Sequence, residues 1–537
     1  MKMSKNKLYL IVTSILITMV LTACGGAGAD TAPVQPTPTP AAQGQQQDDA
    51  PETPAEDEAV GGGVLRFVSH INIATSGYVP ELTGNAALPF TTLAHESLLM
   101  FDEQGNFYPS LALSWETDPD EPSITWHLRQ GVLFSDGEPF NAEAVRITVE
   151  EYQRFGRGEV ANVAGFEIID NYTIKMLLHQ WDSSTLESVG FFVYYMSPVA
   201  LQDIDSLRTS SAGTGPFRVV EFQPGVRVIY ERNELHWREG RPLLDGVEMH
   251  IIEEPTTRAS AFQAGEFDMM FMNNLVIGQQ LMATGEFILL ENKSGAGLVS
   301  VGLIPSSGVE GSPFADPRVR QAMSYAIDEE ALARTFGFGL LTTTNQWAAP
   351  GSPTFNPNVR GFPFNPDRAR ELLAEAGFPD GFDTNIFTVI GHRDMITAAS
   401  YMLEQVGIRA AVNQIDEPTQ TSFMSDGWDG IMMHFHAISP NLGLYMGRHL
   451  DGAFYVNGLL IPDEVMDLLW RIRSAPTEEE RIRLEHEMQI LIYDELALFG
   501  QPLWINREPV FTQQNVRDTN FSVRHLWTWT PWDMWIE

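Results

Sequence analysis

A single cysteine, Cys24, serves all 537 residues, and that scarcity decides which folds are open to the chain. No disulfide framework can brace it and no cysteine-built zinc site can organise it, so its stability has to come from a large apolar core. The length allows one, since at roughly 150 residues per domain the chain holds about three domains' worth. Hydrophobic residues at 44% and charged residues at 19% are globular values, not those of a chain that stays unfolded. With 33 Lys+Arg against 70 Asp+Glu the net charge is −37. That balance argues against nucleic acid as a partner, because phosphate binding is driven by basic side chains releasing counterions.

The cysteine's position is as informative as its rarity. Lys2, Lys5 and Lys7 precede an apolar stretch, Leu8 to Leu21, that spans about 21 Å as a helix against a hydrocarbon core of roughly 30 Å. A signal peptide fits this better than a membrane span. Leu21-Thr22-Ala23-Cys24 resembles the bacterial lipobox, in which small residues precede a cysteine that is lipid-modified and becomes the mature N-terminus. The alternative is a signal peptide with an incidental cysteine. The resemblance implies that residues 1–23 are removed and that Cys24 anchors the protein to the outer, periplasmic face of the bacterial cell membrane, held stably by two or more acyl chains. Loss of three lysines would take the charge to −40. Residues 24–60, rich in Pro, Gln and acids, read as an extended, self-repelling tether.

From Gly61 the composition turns globular. Val64–Val68 reads as a strand, and Leu98–Phe101 and Leu111–Trp115 flank a turn at Asp102–Asn106. Ile124–Leu128, Phe166–Ile169, Thr173–Leu178, Phe217–Glu221 and Val226–Glu231 continue the strand pattern. Helix starts are written in caps: Asn141 before Ala142, Asp316-Pro317, Asn365-Pro366, and Thr477 with Glu480 three residues on. Gly377 is a helix stop. Strands and helices mixed in both halves predict an α/β protein, without an internal repeat of 20–50 residues.

Four blocks, read in order, resemble the family 5 extracellular solute-binding proteins of ABC transporters, the peptide/nickel-type receptors. They are His95–Val145, with its Leu-Arg-x-Gly-Val-x-Phe-x-Asp-Gly turn; Gly213–Trp237, continuing to Ala259–Met270; Phe314–Leu332; and Phe364–Phe382. Asp136-Gly137 and Gly213–Pro216 within them also read simply as turn and loop determinants. The resemblance runs from about Gly61 to Val516. It implies a two-lobed periplasmic-binding-protein-like fold, hinged to close on a ligand. The lobes would comprise 61–300, with a small insertion at about 94–207, then 301–500, then a return at 501–537, with crossings near Leu298–Pro305 and Leu498–Trp504. It further implies a monomeric, non-catalytic receptor without a cofactor, serving an ABC permease and ATPase.

Catalytic signatures are absent: there is no G-x-S-x-G, H-E-x-x-H, C-x-x-C or P-loop pattern. A secreted hydrolase would have to use a carboxylate pair such as Glu253-Glu254 or Glu329-Glu330. His434 and His436, at i and i+2, share one strand face and are candidate metal ligands, or else a polar pair lining the cleft. Trp527, Trp529, Trp532 and Trp535 read as core packing before a stacking platform. Peptide-binding relatives carry an aspartate for the peptide α-ammonium where Ile438 stands here, and a second aspartate where Asn441 stands. An ammonium buried without its carboxylate is costly. Ligand capture is therefore expected to involve a peptide or, alternatively, an oligosaccharide or other neutral solute. The candidate contacts are His70, Trp347, Arg393, Trp428, Phe435, His436, Ile438, Ser439 and Asn441, with Arg393 a substitute for a carboxylate-binding arginine.

Overall fold

A computed structural model describes residues 62–82, 87–102, 106–290, 299–438, 441–451, 457–506, 509–519 and 529–537. Cys24, Ser439 and Trp527 lie outside the described residues, as does the side chain of His436.

Two mixed sheets form the hearts of two lobes. The first has seven strands in the order 288–290, 510–512, 269–271, 64–69, 246–251, 227–232, 217–223. Val64–Ser69 runs parallel to both Gly246–Ile251 and Met269–Phe271. It is buried on both faces: Leu65 and Phe67 point into one cluster, Val68 into another, as a central parallel strand requires. The second sheet has six strands in the order 341–343, 501–506, 299–305, 431–437, 382–388, 408–414. Here Phe382–Thr388 is parallel to Ile408–Gln414 and to Ile431–Ala437. A four-stranded antiparallel sheet, 112–118, 123–128, 173–178 and 163–170, lies within the first lobe's sequence.

The caps behave as their chemistry dictates. The Asn141 side chain accepts from Ala144 N at 3.0 Å, Asp316 from Arg318 N at 2.8 Å, Asn365 from Arg368 N at 3.0 Å and Thr477 from Glu480 N at 3.3 Å. Gly377 takes φ +95°, a left-handed conformation that suits glycine. The strand Phe107–Pro109, which pairs with Leu99–Phe101, has no counterpart in the sequence reading.

The chain passes from the first sheet to the second between Leu290 and Val299, and returns between Asn506 and Val510. The whole of Val299–Pro305 and of Gln501–Asn506 thus belongs to the second sheet. Both crossings fall at strand ends, a few residues away from Leu298–Pro305 and Leu498–Trp504, because pairing holds those segments in register past the expected break. Trp529 and Trp532 pack in the first lobe. Trp529 meets Phe67 edge-on at 6.0 Å, and the Arg238 guanidinium lies 3.9 Å over Trp532.

Candidate functional site

In both lobes the carboxyl ends of the parallel strands face the crossings. Phe271 pairs with Val510, the first strand residue after the return, and Met272 N donates to Pro509 O at 3.1 Å. In the second lobe Ala437 pairs with Val299, the first strand residue after the outward crossing. Open α/β sheets bind ligands outside the carboxyl ends of their strands, so the candidate site is the cleft between these two edges.

The first-lobe edge is organised by Arg258, which is fully buried. Its Nε donates to Phe271 O at 3.0 Å, its Nη1 to Ile252 O at 2.5 Å and its Nη2 to Asn273 Oδ1 at 2.8 Å. These acceptors are the chain leaving two parallel strands, so one guanidinium fixes both exits. Burial lowers its pKa to about 10. His70 follows the central strand and stacks on Phe271 with ring centroids 5.1 Å apart. Burial first, and the Arg258 charge second, lower its pKa to about 4, so the imidazole is neutral, and its Nδ1 is buried without a partner.

The second-lobe edge repeats this chemistry. His392 meets Phe435 edge-on at 5.2 Å. Burial lowers its pKa to about 4, and its Nδ1 also lacks a partner. His392 escaped the sequence reading, because a histidine in a loop gives no signal. Arg393 is exposed as the first residue of the helix Arg393–Glu404. A cation there opposes the helix dipole, so it is not present to stabilise the helix. Ile438 is 2% exposed and packs with Ala349 and Ile505.

Several expected contacts are elsewhere. Trp428 is a core residue: its Nε1 donates to Ile304 O at 3.2 Å, at the opposite end of the strand pair from Ala437. A Cβ on Gly458 would fall 2.1 Å from its ring. Trp347 is likewise buried, 4.0 Å from Phe499 between ring centroids and near Tyr493 and His449. Both follow from the apolar face that the second sheet must cover. Asn441 is a helix cap, accepting from Leu444 N at 3.0 Å. His434 is buried on the Trp347 side, held neutral by burial and by His449. Among the described residues no group of three or more His, Cys, Asp or Glu is placed to hold a metal. One member of each carboxylate pair has structural employment. Glu254 caps the helix Pro255–Gln263, and Glu330 pairs with Arg334 at 3.2 Å.

The lobes also meet away from the crossings. Trp181 Nε1 donates to Ala475 O at 2.9 Å, Ser183 N to Arg473 O at 2.7 Å and Ser183 Oγ to Ile472 O at 3.2 Å. Arg473 Nε reaches Asp182 Oδ2 at 2.7 Å. Trp181 and Ser183 thus donate to carbonyls at and just beyond the end of the second-lobe helix Asp463–Arg473.

Residues 106–453, more than half of the chain, match the model of bacterial extracellular solute-binding proteins, family 5. The chain belongs to this family. It is similar to "Heme-binding protein A" of Haemophilus influenzae, 28% identical over 374 residues covering 64% of this chain and 67% of that protein. It is also 28% identical to the "Glutathione-binding protein GsiB" of Salmonella typhi over 432 residues, 75% of this chain and 81% of the relative. The fold is that of the ABC transporter-associated periplasmic binding protein DppA from Helicobacter pylori, solved with the peptide STSA. That comparison gives a TM-score of 0.73 at 21% identity and covers 89% of this chain and 98% of that one. The protein is therefore a two-lobed solute-binding receptor of the ABC-importer type, from a family of binding proteins rather than enzymes.

Proposed function

We propose that this receptor captures a short peptide-like solute between its lobes without reading an α-ammonium, and hands it unaltered to an ABC permease and its ATPase. The observation that carries the reading is Ile438, buried against Ala349 and Ile505, where peptide receptors of the family place a carboxylate. A free ammonium seated there would be a desolvated, unpaired charge. A relative named for glutathione and a structural neighbour holding a tetrapeptide favour peptide-like solutes with acceptor groups. A sugar would need aromatic platforms, and of the expected aromatics Trp347 and Trp428 are committed to the core, which leaves Phe435 alone at the edge. The Leu-Thr-Ala-Cys sequence supports export and lipid anchoring at Cys24, with the receptor working as a monomer on a 24–60 tether outside the membrane.

The test is thermal unfolding of the purified mature protein with tetrapeptides carrying a free or an acetylated N-terminus, with maltooligosaccharides, and with a nickel–histidine chelate. A solute that binds only the folded state raises the melting temperature. The reading expects free and acetylated peptides to shift it equally, and to be recovered intact. A shift confined to free-amine peptides, or to sugars or the chelate, overturns it.

A further inference from the structure

The rim of the first lobe holds a polar group that the sequence reading passed over. Asn273 is exposed and sits immediately after Met272, whose amide is hydrogen-bonded to the return crossing. It is therefore at the cleft edge on the carboxyl side of Met269–Phe271. Its carboxamide orientation is decided by chemistry: Arg258 Nη2 lies 2.8 Å from Oδ1, and a guanidinium can only donate. The oxygen must face Arg258, so the amide NH2 faces away from it, and no described residue accepts from that NH2. A buried guanidinium, held by three main-chain carbonyls as well, thus fixes an exposed pair of N–H donors at the cleft edge. Among the described residues no carboxylate lies within hydrogen-bond reach of Arg258, whose acceptors are carbonyls and one amide.

We propose that Asn273 is a specificity-determining residue that donates from its carboxamide to an oxygen acceptor of the bound solute, and that Arg258 is its positioning residue. The buried positive charge beneath, which Glu254 offsets in part, favours a carboxylate over a carbonyl at this point, because local charge is weakly screened away from water. The inference rests on the peptide-like reading above and names which end of the solute the first lobe reads.

Asn273→Asp separates this role from a structural one. The substitution gives Arg258 a carboxylate partner, so it raises the melting temperature, but it replaces two donors with acceptors and a negative charge. The probes are mixed N-acetyl tetrapeptides offered to the full mature chain as free acids and as C-terminal amides, with affinity read by calorimetry. Wild type is expected to take the acids, and Asn273→Asp to lose at least about tenfold in affinity while melting higher. Asn273→Ala should lose affinity with little change in melting. Loss on the acids alone assigns a carboxylate; equal loss on acids and amides assigns a carbonyl. Undiminished affinity in both variants overturns the inference and leaves the peptide reading standing. If wild type takes neither probe set, the peptide reading itself fails and the inference falls with it.

Discussion

The same five-residue pattern opens a helix in each lobe: Glu254-Pro255-Thr256-Thr257-Arg258 in the first, Asp316-Pro317-Arg318-Val319-Arg320 in the second. In each the acid caps, proline takes the first turn, and the arginine turns inward to donate to main-chain carbonyls. Arg320 reaches Leu496 O at 2.7 Å and Phe314 O at 2.8 Å, and burial lowers its pKa to about 10, as it does for Arg258. The difference is position. Leu496 precedes Gln501, which pairs with Leu303, so Arg320 closes the end of the second sheet remote from the crossings. Arg258 closes the end of the first sheet that faces the cleft. One local code, placed at opposite sheet ends, gives a purely structural residue and a rim-forming one.

The largest effect that can break this contrast is removal of either guanidinium. Arg320→Met orphans several buried carbonyls and should cost about 3–5 kcal/mol in denaturant unfolding, with unchanged solute affinity in the folded fraction. Arg258→Met should cost a similar amount and also lower affinity. Equal affinity in both variants would erase the distinction.

Acid compares the lobes next. His95 in the first lobe and His392 in the second have pKa values lowered to about 4 by burial, against an unfolded value near 6.5. Below pH 6.5 the unfolded chain takes protons that the native state refuses, so stability falls between pH 6.5 and about 4, by on the order of 3 kcal/mol for each histidine. Chemical denaturation across that window should show the slope, and His392→Phe should flatten it by about a quarter, because burial also holds His70 and His434 neutral. A slope unchanged in that variant would mean that His392 is not buried at the second-lobe rim.

A smaller effect probes the polar contact between the lobes. Asp182→Asn weakens the pairing with Arg473 and should cost about 1–2 kcal/mol of lobe–lobe contact, visible as faster amide exchange at residues 470–475 without a change in either lobe's core. Unchanged exchange would show that the contact does not govern closure. Least of all, Asn441→Ala should cost about 1 kcal/mol as a lost cap and leave affinity untouched. A large affinity loss would return Asn441 to the cleft.

What was legible in the sequence was local. Asn141, Asp316, Asn365 and Thr477 announce helix starts because a cap needs only the next three residues. Thr173–Leu178 reads as a strand because alternation is a neighbour property. Trp428 and Trp347 misled because a tryptophan's burial depends on which sheet face covers it, settled by Ile304 and Phe499 far along the chain. Arg258 was missed although the repeated acid-Pro-x-x-Arg pattern was a usable signal. Its acceptors at Ile252 and Phe271 become a rim only once their strands lie parallel. The contact of Asp182 with Arg473 joins residues 291 positions apart, and no local pattern encodes it.

The most direct test is a matched calorimetric titration of N-acetyl tetrapeptide acids into wild type, Arg258→Lys and Arg320→Lys. Lysine keeps the charge but loses the planar fork, so both variants should melt lower. The account predicts that only Arg258→Lys loses affinity, by about tenfold or more. Equal affinity in the two variants, or a loss confined to Arg320→Lys, would contradict it.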